Sequence, residues 1–342
     1  MASEPAFSTA DTEPVDGASG RFDVDEAGRY QRLGVLGQGG MGRVFLVRDA
    51  RLGREVALKE LLQQSPALEA RLTGEAHLTA TLDHPGIVPV YDAGRTREGR
   101  LFYTMRLVRG RSLSALAREA TTPAQQVRLV DHLLDAARAL AFAHERGVVH
   151  RDVKPDNILI GPRGETQLSD WGLACRLEQA QATSTAGTAA YLAPERARGD
   201  AASAATDVYA LGASLLEVLT GAPPWAGQPR EAILANLARG ETPPQRPTSP
   251  AHNALLAIAL RALAPDPAAR FADAGAFADE VQRWREGRLV TSYRYSPLEL
   301  LRHALRAWRV PLLVGALALL ALLVVGAVAW QRTRAERDRA IA

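Results

Sequence analysis

The sequence predicts an α+β chain of two unequal lobes, small and β-rich first, larger and α-helical second, followed by one C-terminal transmembrane helix. Three observations predict this. Residues 30–108 carry short runs of β-branched and aromatic residues around a glycine turn. Beyond Gly110, apolar residues recur at three- and four-residue spacing. Residues 310–330 contain no charge.

Residues 1–29 are acidic and rich in Ser, Pro, Gly and Ala, without apolar periodicity, and read as a disordered leader. From Tyr30, RLGVLGQGGMGRVFLVRD and REVALKEL read as strands. A helix is expected over Ala67–Leu82, ending before His84-Pro85. IVPVYDAG and LFYTMRLV read as further strands and close a first lobe of about 30–108. The second lobe, about 109–288, holds helices in AQQVRLVDHLLDAARALAFAHERG, DVYALGASLLEVLTG and NALLAIALRALAP. There is no internal repeat. Residues 289–309 form a juxtamembrane stretch, read either as a plain linker or as an amphipathic helix lying on anionic lipid. Residues 310–330, at about 1.5 Å each, suffice to cross a roughly 30 Å hydrocarbon core. Trp308 and Trp330 flank them as interfacial residues do. The competing reading, a buried core helix, would need a polar face that this stretch lacks. Residues 331–342 make a short charged tail.

A composition of 47% hydrophobic and 23% charged residues fits a globular protein. A net charge of +3 over 342 residues argues against nucleic-acid binding. The single cysteine, Cys175, excludes an intrachain disulfide and a Cys-based zinc site, and suits a reducing compartment. No secretory signal peptide is visible.

Of 41 Lys+Arg residues only two, Lys59 and Lys154, are lysine. Those two positions call for a compact ammonium on a flexible stem rather than a guanidinium fork. Lys59 ends the run VALK, after LGQGGMGRV, where Gly37, Gly39 and Gly42 stand in G-x-G-x-x-G-x-V spacing ending at Val44. Glycines at such spacing let backbone amides approach phosphates. A dinucleotide fingerprint would open a helix. Here RVFLVRD follows, so the turn joins two strands, although a bland glycine-rich hairpin would look the same. A lysine at a strand end is ordinarily solvated, but it can also pair phosphates on one side with a carboxylate on the other. Glu75 is the carboxylate candidate, its plain alternative being a solvated helix residue.

Lys154 lies in His150-Arg151-Asp152-Val153-Lys154-Pro155-Asp156-Asn157, followed by ILI. This H-R-D-x-K-x-x-N pattern resembles the eukaryotic-type (Hanks-type) serine/threonine protein kinases, most closely their bacterial membrane-anchored members. The resemblance covers residues 30–288 and implies the bilobal protein-kinase fold. It implies transfer of the γ-phosphoryl of ATP to protein Ser/Thr hydroxyls with Mg2+, or alternatively Mn2+. On this likeness Asp152 is the catalytic base, Lys154 contacts the γ-phosphate, and Asn157 and Asp170 are metal ligands. Asp170-Trp171-Gly172 stands where the family has D-F-G; Trp171 should pack beneath His150, with conformational flipping the property in doubt. The ATP site implied is Leu36, Gly37, Gln38, Gly39, Gly40, Met41, Gly42, Arg43, Val44, Ala57, Lys59, Glu75, Met105, Arg106 and Val108. Met105 takes the gatekeeper position, and Arg106 replaces the acidic residue common beside it. Ala193-Pro194-Glu195 resembles the end of an activation segment, with Arg270 in DPAAR as the expected partner of Glu195. Asp207 matches the residue that anchors the catalytic loop, and Thr188 the one that contacts Asp152 and Lys154.

Thr183, Ser184 and Thr185 are an ordinary polar loop by composition, and candidate autophosphorylation sites by resemblance, with Arg151 as the partner of the new dianion. Because ATP is cytosolic, the resemblance implies a single-pass protein of the bacterial inner (cytoplasmic) membrane with its kinase domain cytoplasmic. Basic residues flank both sides of 310–330, so the positive-inside rule decides little. Implied partners are protein substrates, the membrane and a transient homodimer, and no nucleic acid. A nucleotide-binding scaffold without turnover is the first rival, but Lys59, Asp152 and Asp170 are all kept. A small-molecule phosphotransferase would lack Lys154 and the A-P-E stretch.

Overall fold

The computed structural model describes residues 13–14, 28–38, 42–180, 187–244, 252–301, 315, 317–331 and 334. Two compact units result, Met1–Tyr293 and Arg294–Ala342.

The first unit begins with strands β1 (Glu13–Pro14), β2 (Tyr30–Gln38), β3 (Gly42–Asp49) and β4 (Arg54–Leu61), helix α1 (Pro66–Ala80), and strands β5 (Val90–Arg95) and β6 (Leu101–Arg106). The strands form one six-stranded sheet in the order β1-β2-β3-β4-β6-β5. Residues 13–14 thus pair with the β2 edge at Val35 and Gly34, inside the stretch expected to be a disordered leader. The alternation of β side chains sorts the sheet's apolar residues into two cores. Tyr30, Phe45, Val47, Val56, Leu58 and Phe102 fill one. Leu36, Val44, Ala57, Tyr103 and Met105 fill the other, against Leu72 and Ala76 of α1. Gly42 is required by close approach: a Cβ there would stand 2.5 Å from the Glu60 carbonyl oxygen across the β3–β4 ladder. Helix α1 starts one residue before the expected boundary, with Pro66 in its first turn.

The second part of this unit is helical, with short strands β7 (Arg111–Ser112), β8 (Val148–Val149), β9 (Ile158–Ile160), β10 (Thr166–Leu168) and β11 (Cys175–Arg176) along the cleft. Its helices are α2 (Leu113–Glu119), α3 (Pro123–Glu145), α4 (Pro194–Ala197), α5 (Ala204–Thr220), α6 (Arg230–Ala238), α7 (Asn253–Ala262) and α8 (Ala274–Arg285). Thr122 and Gln125 form a capping box at the start of α3, an arrangement that stabilises a helix by about 1 kcal/mol. Helix α5 is buried continuously from Thr206 to Leu219 and ends at Gly221, whose φ is 74°. It forms the central post around which α3, α7 and α8 pack. The unit runs through Tyr293, so residues 289–293, expected in the linker, belong to it. The reason is Glu280, a buried carboxylate of α8. It accepts from Thr291 Oγ1 at 2.8 Å, the Ser292 N–H at 2.8 Å and Ser292 Oγ at 3.0 Å.

In the second unit, residues 297–301, 315 and 317–331 are helical. Residues 310–314 and 316 of the expected span lie outside the described residues. Among the described residues no helix is long and apolar enough to cross a membrane.

Arg270 ties the C-terminal part of the first unit together. Its guanidinium donates to both oxygens of Glu195 at 2.7 Å each, and to the carbonyls of Ala264 and Ala205. Both partners are buried. Removing one side of such a pair strands a charge in the interior, which costs about 3–5 kcal/mol. Arg270→Ala is therefore expected to lower the urea unfolding free energy by about that amount, while Arg285→Ala, whose ion pair with Asp131 is half-exposed, should change it by less than about 1 kcal/mol.

Candidate active site

Strand β4 carries Lys59 directly between Val44 of β3 and Tyr103 of β6 in the register. Its ammonium is buried and donates to Glu75 Oε1 of α1 at 2.8 Å and to Asp170 Oδ1 at 3.2 Å. Burial alone would lower the Lys59 pKa, but Asp170 and Glu75 outweigh it and raise it well above the usual lysine value. The reciprocal effect falls on Asp170: chiefly the Lys59 charge, against burial, holds its carboxyl down to about 2. Glu75 is thus no solvated helix residue. Arg71, one turn earlier on α1, donates from Nε to the Gly172 carbonyl at 2.9 Å.

The loop between β8 and β9 carries the other catalytic candidates. Asp207, in the first turn of α5, accepts from the His150 and Arg151 N–H groups at 2.8 Å each. The His144 imidazole adds a bond at 3.0 Å. Burial would raise the Asp207 carboxyl, but the His144 hydrogen bond and its neighbours hold it below the usual range. Asp207 thereby fixes the turn that lifts Arg151 to φ 69°. Asp152 follows. Its Oδ1 accepts from the Thr188 N–H and Oγ1 at 3.1 Å each, and its Oδ2 lies 2.9 Å from Lys154 Nζ. Lys154 Nζ also donates to Thr188 Oγ1 at 3.0 Å. Asn157 Nδ2 donates to the Asp152 carbonyl at 2.8 Å and to Asp152 Oδ2 at 3.4 Å. Thr188 thus makes both expected contacts.

Asp170 sits at φ 59°, the second non-glycine residue of the site in the left-handed region. Such residues concentrate where surrounding structure over-determines the backbone. Trp171 is buried, its ring centroid 4.6 Å from that of His150 and its Nε1 donating to the Leu168 carbonyl. The packing expected of a phenylalanine is therefore available to tryptophan. Gly172 is closely approached, since a Cβ would lie 3.1 Å from Glu75 Oε2 and 3.3 Å from Asp170 Oδ1, so both carboxylates would have to give by a few tenths of an ångström.

Between the lobes Leu36, Ala57, Met105 and Val108 line a slot, as expected, joined by Val88, Leu107, Leu159 and Ser169. About 330 Å³ of space, part of it open solvent, lies within it. Arg106 also lines it, with its side chain exposed. Gln38 and Arg43 face each other across the β2–β3 hairpin, Arg43 donating to Gln38 Oε1. Gly37 pairs with Val44. Gly39, Gly40 and Met41, and likewise Thr183, Ser184 and Thr185, lie outside the described residues. Apart from Arg106 and Ser169, the side chains that line the slot are apolar. Among the described residues no group of three or more His, Cys, Asp or Glu could hold a metal ion.

A protein kinase domain model matches residues 30–281. The chain belongs to the protein kinase family. It is 40% identical over 281 residues to the serine/threonine-protein kinase PknA of Mycobacterium tuberculosis H37Rv, covering 79% of this chain and 64% of that one. It is 39% identical over 271 residues to PknB of Mycolicibacterium smegmatis, covering 76% and 43%. It is 39% identical over 231 residues to the DNA damage-responsive kinase RqkA of Deinococcus radiodurans, covering 66% and 35%. The family match implies the use of ATP and a divalent metal, and the relatives it resembles are bacterial serine/threonine kinases. The chain thus spans less than two thirds of the length of these relatives.

Sequence reasoning did not single out Tyr103 or Arg71. Period-two alternation from Met105 could have placed Tyr103 on the cleft face; nothing local marks Arg71, whose partner lies 101 residues away.

The depressed Asp170 pKa has a consequence for stability. The folded state favours the ionised carboxylate, so this contribution is complete above the ordinary value of 3.8 and is lost as pH falls toward about 2. Urea midpoints measured between about pH 5 and about pH 2 should show Asp170→Asn losing stability less steeply than wild type. Equal slopes would mean that Asp170 titrates alike in both states.

Proposed function

We propose that this chain is a membrane-anchored serine/threonine protein kinase that transfers the γ-phosphoryl of Mg-ATP to protein hydroxyls and autophosphorylates. The observation that carries the reading is the Asp152 carboxylate, gripped by Lys154 and Thr188 within hydrogen-bond reach of Asn157. Asp152 orients the acceptor hydroxyl and takes its proton. Lys154, a compact charge beside it, steadies the γ-phosphate. Lys59 and the glycine-rich segment 37–42 hold the remaining phosphates, and Asn157 and Asp170 hold the metal. Mg2+ bound with the nucleotide supplies neutralisation of phosphate charge. The protein's share is mainly positioning and preorganised electrostatics, because the transition state for phosphoryl transfer is loose and charge-rich. Thr183, Ser184 and Thr185 are the candidate modified residues, and Arg151 the cation that would receive the phosphate. Lys154 and the segment ending at Glu195 favour protein hydroxyls over small-molecule acceptors.

The membrane reading rests on 310–330. Leu317, Leu319, Leu320, Leu322, Leu323, Val324, Val325 and Val328 are all exposed in the second unit. A continuous apolar surface of this kind calls for lipid or a partner. The kinase domain would face the cytoplasm, where ATP is.

With radiolabelled ATP and Mg2+, the purified full chain is expected to label protein Ser or Thr. Asp152→Asn and Lys59→Met should each reduce the rate by about 100-fold or more. Undiminished labelling in Asp152→Asn would remove the proposed base. In fractionated bacterial cells the full chain should resist carbonate extraction and dissolve in detergent, whereas a chain ending at residue 293 should remain in the supernatant. Full-length protein released by carbonate would sink the anchor.

A further inference from the structure

We propose that Tyr103 is a positioning residue for phosphoryl transfer: its hydroxyl holds the Glu75 carboxylate in the orientation that grips Lys59. Tyr103 lies on β6, is 4% exposed, and donates to Glu75 Oε1 at 2.6 Å. Lys59 donates to the same oxygen at 2.8 Å. The other oxygen, Oε2, is buried without a hydrogen-bond partner and faces Gly172. Two donors from adjacent strands therefore converge on one oxygen of α1, and the carboxylate has no third anchor. The surroundings are apolar: Leu72, Ala76, Val88 and Met105 belong to the same core. A phenylalanine would fill this space, and a buried hydroxyl is tolerated only when bonded. The register sets Tyr103 directly opposite Lys59, so the lysine, its carboxylate and the hydroxyl form one unit.

The consequence follows from how Lys59 is shared. Its ammonium is divided between Glu75 and Asp170, and phosphates would compete for it. Whenever the ammonium shifts away from Glu75, the Tyr103 hydroxyl still pins the carboxylate, so helix α1 does not swing out. The neutral donor keeps the charged pair in register without adding a competing charge. This role rests on the phosphotransfer reading, because it acts through Lys59.

The test is a double-mutant cycle on the full chain in detergent, using wild type, Tyr103→Phe, Glu75→Ala and the double variant. Transfer of label from ATP to casein is followed together with amide hydrogen exchange across α1. Tyr103→Phe is expected to lower kcat about three- to tenfold, the scale of one buried hydrogen bond. The KM for ATP should change less than kcat, because Tyr103 does not line the apolar slot of Leu36, Ala57 and Met105. Exchange across α1 should quicken without nucleotide. In the Glu75→Ala background the same substitution should change kcat less than about twofold, since no carboxylate remains to position. Equal losses in both backgrounds would assign Tyr103 to packing and overturn the proposal, as would unchanged kcat and exchange in Tyr103→Phe. A wild-type chain that transfers no label would overturn the kinase reading and this role with it, whereas an active wild type with an unaffected variant overturns this role alone.

Discussion

A buried ammonium surrounded by carboxylates from separate parts of the chain is the constraint on which this structure turns. Lys59 could not be charged in an apolar interior alone, because desolvating an unpaired ion costs several kcal/mol. It is tolerated because Glu75, 16 residues on, and Asp170, 111 residues on, both reach it. Those partners belong to α1 and to the segment after β10. Pairing the lysine therefore requires the strand, the helix and the segment after β10 to be assembled together. The site is then complete when the two parts of the first unit are correctly docked, and electrostatics couples the two events.

The lower half of the cleft is built on the same logic with the charges reversed. A buried carboxylate, Asp207, opens α5 and accepts two backbone N–H groups of the loop that carries Asp152. Helix α5 is the most deeply buried helix of the unit, so its first turn is a rigid platform. That rigidity holds Arg151 in a backbone region that costs about 1–3 kcal/mol. Asp170 bears a similar cost and is held by its ion pair with Lys59. The strain lies where side-chain direction matters, and the compensating bonds lie one layer behind it.

How much of this was readable from sequence follows from the range of each interaction. Lys59, Asp152, Asn157 and Asp170 stand in short patterns whose spacing carries their chemistry, and the structure brings them to one cleft. The long helices α3 and α5 were visible because their apolar periodicity is strong. Helix α6 buries only Ile233 and Leu237 and shows no clear stripe, whereas α8 buries Ala274, Phe277, Ala278 and Val281 at i, i+3, i+4 and i+7, a stripe easily passed over because two of its members are alanines. Residues 289–293 looked like linker because their anchor, Glu280, would ordinarily be read as a surface residue. Tyr103 and Arg71 escaped notice for the same reason: their partners are fixed by tertiary packing.

The neighbours Trp171 and Gly172 show why motif positions differ in tolerance. Position 171 is defined by volume beneath His150 and can accept a larger ring, because the indole N–H finds the Leu168 carbonyl. Position 172 is defined by close approach. The unbonded Glu75 Oε2 and the Asp170 carboxylate both press on the place a Cβ would occupy. A methyl group there would ask both carboxylates that share Lys59 to give by a few tenths of an ångström. The glycine is thus part of the charge arrangement itself: it is the space that lets α1 approach closely enough for Lys59, Glu75, Tyr103 and Asp170 to act as one cluster.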